Sequence, residues 1–327
     1  MALVPGMCTA LNQETWKKLQ DASIVTVVDF ISKDAESLSQ KLQLPYNDLC
    51  SIRKVLIAEH AAYPASASSL YQKAVNSMSC LSTGYASLDS LLDGGFYTGE
   101  VTELAGDSAA GKTTICHAAC ASAVASTFQA GATVGGSVTS VVYIDTSCSF
   151  FPKSILDNLL RNLTDSSQDE EAIGACLEKI KCVQIFDVDE LLNVIDEMIS
   201  LLSKESKDLS DLKLIILDNL ANIIYPITGG GFQYSQGILS QIGHKLKQLA
   251  VSFSTAVVVT NNLVSSGSGQ TAGRKAALGK LWCSMPHSRI VLEKCEDPRV
   301  VTTNRKAHLV KSCRQKTPHS LMFSLDQ

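Results

Sequence analysis

Apolar residues along the chain change their spacing near residue 74. Upstream they recur at helical intervals over residues 14–21 and 35–42, and Leu49, Ile52, Val55 and Leu56 put an apolar stripe on a third helix. Tyr63-Pro64 followed by ASASS is a small-residue stretch that predicts a linker. Downstream, short apolar runs alternate with amphipathic stretches. The runs 100–105, 140–145, 182–186, 213–218, 256–261 and 288–293 predict strands, and 113–128, 152–163, 189–202 and 236–253 predict helices. Strands apolar at nearly every position are buried on both faces, which predicts an α/β fold: a mostly parallel sheet flanked by helices. The organisation read from this pattern is a small N-terminal helical domain over residues 1–62, a linker over 63–77 and a core over 78–327. The Gly/Ser/Thr stretch 131–140 reads as an exposed loop.

Composition narrows the class. A hydrophobic fraction of 45 % and a net charge of only −4 over 327 residues exclude disorder as the overall state. No apolar run approaches the roughly 18–20 residues of a membrane helix, so no membrane partner is expected. The first residues, MALVPGMCTALNQE, lack the basic flank and long apolar stretch of a secretory signal. The chain is therefore expected to stay where it is made or to enter the nucleus. Eleven cysteines without a CxxC pair read as reduced thiols in a chain of this length. His117, between Cys116 and Cys120 on an Ala-rich helix, reads as a core residue rather than a zinc ligand. Charge is unevenly spread: eleven Lys/Arg against three acids between Arg274 and Ser320 give +8, while residues 1–273 carry −11. A basic patch for phosphate or polyanion and solvated strand edges guarded by lysines both fit that stretch.

Chemistry enters at GDSAAGKTT: Gly106, Asp107, Ser108, Ala109, Ala110, Gly111, Lys112, Thr113 and Thr114. This G-x-x-x-x-G-K-T follows a predicted strand and opens a predicted helix, the context a phosphate loop requires. The glycines let backbone N–H groups turn inward around a phosphate, and the helix N-terminus adds partial positive charge. Lys112 supplies a full charge to the β/γ-phosphates, and the Thr113 hydroxyl is a Mg²⁺ ligand. The expected ligands are thus ATP and Mg²⁺. The apolar run LKLIILD closes on Asp218, the candidate second metal residue, and VVYID closes on Asp145, another carboxylate at the same sheet edge. AVVVTNN ends in Asn261 and Asn262, amides able to sense a γ-phosphate or to cap a turn.

The stretch TGYASLDSLLDGGFYTGEVTELAGDSAAGKTTICH, with YIDT, LKLIILDNLANII, VVVTNN and ALGKLWCSMPHSRIVL, resembles the RecA-family recombinases of eukaryotes, and within them the D-type paralogs of the strand-exchange recombinase. The resemblance covers roughly residues 78–295. It implies a RecA-like P-loop NTPase core and an ATP site at a subunit interface. It also implies two loops facing single-stranded DNA, here at about 225–237 and 263–279. Partners implied are other recombinase paralogs in a hetero-oligomer and the main strand-exchange recombinase, with a role in homologous-recombination repair in the nucleus. Phe232 and Tyr234 in the first loop are candidates for stacking on bases, and Arg274 and Lys275 in the second for gripping phosphates.

Departures from the family pattern bear on activity. Where the strand-exchange enzymes carry the glutamate that activates water, this chain has Ser147, and a hydroxyl is a poor general base. The sensor glutamine corresponds to Asn262, the candidate γ-phosphate sensor, one methylene shorter. Both imply weak or partner-dependent, DNA-stimulated hydrolysis with binding retained. LQLPYNDLCSIRK lacks the glycine of the family's DNA-binding hairpin, and SSLYQKAV lacks a clear Phe-x-x-Ala polymerisation motif. A catalytically silent scaffold remains an alternative reading. A P-loop small-molecule kinase is another, although the arginine-rich lid it would need is missing from residues 131–140.

Overall fold

A computed structural model of the chain describes residues 3–60, 64–129, 139–163, 170–204, 209, 211–228, 232–266, 273–295 and 303–326. The chain divides into two compact units, Met1–Lys73 and Ala74–Gln327.

The first unit contains helices α1 (Gln13–Asp21), α2 (Val27–Ser32), α3 (Ala35–Leu42) and α4 (Tyr46–His60). Leu11, Leu19, Phe30, Leu49, Ile52 and Leu56 form its core. Side chains start the helices: Asn12 accepts from Thr15 N–H, Asp34 from Ser37 N–H, and Thr26 with Asp29 forms a capping box. Helix α2 has no counterpart in the periodicity reading, since six residues carry under two turns of pattern. Its signal was the T-x-x-D box. The stretch read as a linker also differs. Helix α5 (Ala67–Ser77) occupies it, with the Ser69 N–H donating to Ser66 Oγ. No Gly or Pro follows Pro64 until Gly84, so nothing breaks the helix.

The second unit is built on strands β3 (Val101–Gly106), β4 (Ser140–Asp145), β5 (Ile180–Gln184), β6 (Leu212–Asp218) and β7 (Ala256–Ser266). It continues with β8 (Gly273–Ala276), β9 (Ser288–Lys294), β10 (Asn304–Lys311) and β11 (His319–Ser324). A short β1 (Cys80–Leu81) pairs with β2 (Phe96–Tyr97) beside it. The large sheet runs β11-β10-β9-β3-β7-β6-β4-β5, with β8 paired to β7. The pairs from β9 through β5 are parallel, and β10 and β11 extend the sheet antiparallel. Alternate residues serve two cores. Val141, Tyr143, Leu214 and Ile216 pack under α6 (Ala86–Leu91), α7 (Lys112–Gln129), α8 (Pro152–Asn162) and α9 (Glu170–Glu178). Val142, Ile144, Ile215 and Leu217 face α10 (Val188–Ser203), α11 (Leu220–Ile227), α12 (Phe232–Phe253) and α13 (Gly279–Ser284).

Three expectations change. Strand β5 starts two residues before the predicted run because it follows β4 in parallel register, Val141 opposite Ile180 and Asp145 opposite Gln184. Phe186 is left outside the strand and exposed. Helix α12 starts at Phe232, so Phe232 and Tyr234 lie in a helical first turn rather than in a loop running to Gly237. A single glycine costs a helix only about 1 kcal/mol, and Gly237 does not end this one. The predicted second loop is in part a hairpin: β7 continues to Ser266 and pairs antiparallel with β8. Residues 131–138 of the Gly/Ser/Thr loop lie outside the described residues.

Three cations of the basic C-terminal stretch are wired into the fold. Arg289 is buried and bonded to Glu103, Arg314 pairs with Glu100 at 2.7 Å, and Lys311 donates to the Cys283 and Ser284 carbonyls. His117 is also interior, buried against the rings of Tyr143 and Phe150.

Candidate functional site

Strand β3 delivers the loop 106–111 to the sheet's carboxyl edge, and α7 begins at Lys112, so the first N–H groups of an 18-residue helix point into the loop. Gly111 adopts φ +101°, a backbone conformation that favours glycine, and the Leu325 side chain packs against its Cα. Lys112 is 8 % exposed, and its Nζ donates to the carbonyls of Gly106 at 2.7 Å and Asp107 at 2.9 Å. Burial holds its pKa below the ordinary lysine value, and the Asp218 carboxylate opposes that shift. An ammonium so placed is desolvated and aimed into the loop, ready for phosphate oxygens.

Asp218 closes β6 opposite Asp145 of β4. Its carboxylate accepts from Thr113 Oγ1 at 2.7 Å, Tyr143 OH at 2.8 Å and Ser149 Oγ at 3.3 Å, and from Thr260 Oγ1. Thr113 and Asp218 thus supply adjacent hard oxygen ligands, the donor set Mg²⁺ takes. Asp145 is spent differently. Its carboxylate accepts the N–H groups of Ser147, Ser149 and Phe150, which fixes the turn after β4. Ser147 itself lines the cleft, with its Oγ 3.0 Å from Ser149 Oγ.

The two asparagines of β7 part company. Asn262 faces the cleft and accepts from Asn219 Nδ2 at 2.9 Å. Asn261 is fully buried and donates to Glu103 Oε1 at 2.6 Å. Glu103 also accepts from Trp282 Nε1 at 3.0 Å and from Arg289 Nε, so this cluster is a structural ion pair behind the site. Glu103 holds Arg289 above the usual arginine range despite its burial. Sequence reading missed the cluster, because one acid in an apolar strand carries no sign of its partner 186 residues away.

The cleft has a volume of about 520 Å³ and is lined by Asp107, Ser108, Ala109, Lys112, Thr113, Ser147, Asp218, Asn219, Asn222, Tyr225, Asn262 and Leu263. Of the residues predicted for phosphate, metal and sensing, Asp107, Ser108, Ala109, Lys112, Thr113, Asp218 and Asn262 converge here, whereas Gly106, Ala110, Gly111 and Thr114 are not among the lining residues. Asn219 and Asn222 were not anticipated; their signal was position, shortly after the strand-ending Asp218. Tyr225, expected to open the first DNA-facing loop, lies on α11 and lines this cleft instead. Of the residues predicted for DNA, Tyr234 is exposed on α12 and Lys275 is exposed on β8. Arg274 forms an ion pair with Asp107 of the phosphate loop. The side chain of Phe232 lies outside the described residues.

Asp218→Asn is expected to remove most of the Mg²⁺ dependence of nucleotide affinity, because an amide cannot match a carboxylate toward a divalent cation. Titrations of ATP with and without Mg²⁺ check this; a Mg²⁺ effect equal to wild type would place the metal elsewhere.

A model of the Rad51 family matches residues 74–313, and a model described as the RAD51D N-terminal domain matches residues 1–59. The chain is 33 % identical over 314 residues to a Mus musculus protein named DNA repair protein RAD51 homolog 4, covering 95 % of this chain and 91 % of that protein. The Bos taurus protein of the same name is 35 % identical over the same shares. DNA repair protein RAD51 homolog 2 of Homo sapiens is 25 % identical over 320 residues, 88 % of this chain and 80 % of that one. Among the described residues, no helix is long and apolar enough to cross a membrane.

Proposed function

Since the chain belongs to the Rad51 family, we propose that it is an ATP-binding recombinase paralog of homologous-recombination repair. It acts in the nucleus on single-stranded DNA, within a hetero-oligomer of paralogs that assists the main strand-exchange recombinase. The observation that carries this reading is the convergence of Lys112, Thr113 and Asp218 on one cleft at the sheet's carboxyl edge. Residues 106–114 take the phosphates of ATP, Thr113 and Asp218 hold Mg²⁺, and Asn262 senses the terminal phosphate. When bound, the nucleotide supplies a negative terminal group whose presence or hydrolysis biases a two-state element. Tyr234 on α12 and Lys275 on β8, both exposed, are the residues for DNA. Proteins named as RAD51 homologs of different number match this chain, which supports other family members as partners.

Hydrolysis is weak, because Ser147 offers a hydroxyl where a carboxylate would activate water. That same residue favours a second reading, a scaffold that binds nucleotide without turning it over. Size-exclusion chromatography of the full chain with a second family member, with and without ATP and Mg²⁺, tests the proposal alongside turnover assays with single-stranded DNA. Assembly is expected to require ATP, with slow DNA-stimulated turnover. Assembly with ATP but no turnover would select the scaffold reading, and assembly indifferent to ATP would refute the nucleotide switch.

A further inference from the structure

Arg274 reaches the phosphate loop from the far arm of a hairpin. Strand β7 leaves the cleft at Asn262 and Leu263, and β8 returns antiparallel to it, with Ser265 opposite Arg274 and Leu263 opposite Ala276. The Ala277 N–H donates to the Asn262 carbonyl at 2.8 Å, which ties the returning arm to the sensor residue. At the end of that ladder the Arg274 guanidinium pairs with the carboxylate of Asp107. Asp107 lines the cleft, and its carbonyl accepts from Lys112 Nζ at 2.9 Å. Two cations therefore bracket one residue of the phosphate loop.

The electrostatics need such a partner. A triphosphate bound beside Lys112 places several negative charges next to the Asp107 carboxylate, and an unneutralised carboxylate there repels them. A guanidinium presents five donors in a fixed fork, so it serves a carboxylate and a phosphate oxygen at once. The side chain is 64 % exposed, which leaves part of that fork open.

We infer that Arg274 is a nucleotide-reading residue, its guanidinium shared between Asp107 and the terminal phosphate of a nucleoside triphosphate. This extends the nucleotide site proposed above and rests on it. It also separates Arg274 from its neighbour: along β8 successive side chains point to opposite faces, so Lys275 is left for a different ligand.

The test is calorimetric titration of the full chain with ATP and with ADP, each with Mg²⁺, for wild type, Arg274→Ala, Asp107→Asn and the double variant. Lys280→Ala, an exposed lysine outside the cleft, is the control. A charge-assisted hydrogen bond to a single phosphate contributes about 1.5–3 kcal/mol, or roughly 10- to 100-fold in affinity. Arg274→Ala should therefore weaken ATP about tenfold more than it weakens ADP, since the bared Asp107 carboxylate repels both nucleotides but only ATP loses the direct contact. The tenfold difference should persist when Asp107 is already Asn. Equal losses for ATP and ADP, no loss for either, or a loss that vanishes in the Asp107→Asn background would overturn the direct phosphate contact. ATP binding absent from wild type would bring down the nucleotide site itself and this inference with it, a failure distinct from the other three.

Discussion

Replacement of Lys112 by alanine is expected to lower ATP affinity by about two orders of magnitude or more while leaving the thermal unfolding of the core nearly unchanged. The two halves of this result have one cause. The Lys112 ammonium is buried at the mouth of the loop with two carbonyls as partners, and burial depresses its pKa. In the free protein it gives little net stability, since its desolvation offsets those two bonds. With nucleotide bound, the same charge meets phosphate oxygens, and two charge-assisted bonds at about 1.5 kcal/mol each already amount to roughly 100-fold. Isothermal titration with ATP and Mg²⁺ reads the first half, and a melting curve followed by circular dichroism reads the second. An ATP affinity equal to wild type would mean that nucleotide does not use this loop. A large drop in melting temperature would mean that Lys112 is structural.

The second large effect is on stability. Glu103→Ala is expected to destabilise the core by about 3–5 kcal/mol, the usual consequence of removing one member of a buried ion pair. Glu103 and Arg289 are 0 % and 6 % exposed, so the charge left behind cannot reach water. The substitution also orphans the Trp282 indole N–H, which donates to Glu103 Oε1, and leaves the Asn261 amide only its bond to the Ala277 carbonyl. Replacing the pair together, Glu103→Leu with Arg289→Met, should recover much of the loss, because no charge then remains buried. Urea denaturation followed by tryptophan fluorescence measures both, since Trp282 lies in the cluster. A cost below about 1 kcal/mol for Glu103→Ala would contradict the ion-pair account.

These two residues mark the difference between what was visible in the chain and what was not. The placement of Lys112 was legible because it is local: a glycine-rich loop between a strand and a helix is specified by nine consecutive residues. The alternation of apolar runs and amphipathic stretches likewise gave the α/β class and the parallel core, since strands buried on both faces must be apolar throughout. The predicted run 140–145 coincides with β4, and the pairing of Thr113 with Asp218 follows from reading the P-loop together with the strand-ending acid. Elements lacking a period were not visible. Helix α2 is too short, the β7–β8 hairpin lies in a glycine- and serine-rich stretch, and the β10–β11 hairpin, with five Lys/Arg and no acid, read as a basic patch or as solvated strand edges.

What the sequence determined, then, was the layered class of the core, the phosphate loop and the acid that faces it, because each is fixed by neighbours along the chain or by burial alone. Only the tertiary structure decided how like residues divide their work. Asp218 gathers four hydroxyl donors while Asp145 is consumed by three backbone N–H groups. Asn262 faces the cleft and Asn261 the interior. Arg274 meets the phosphate loop, and Arg289 neutralises a core glutamate. Adjacent positions on a strand point to opposite faces, and the partner of a charge is chosen by the register of strands distant in sequence. Identical side chains therefore acquire different roles only when the sheet is assembled.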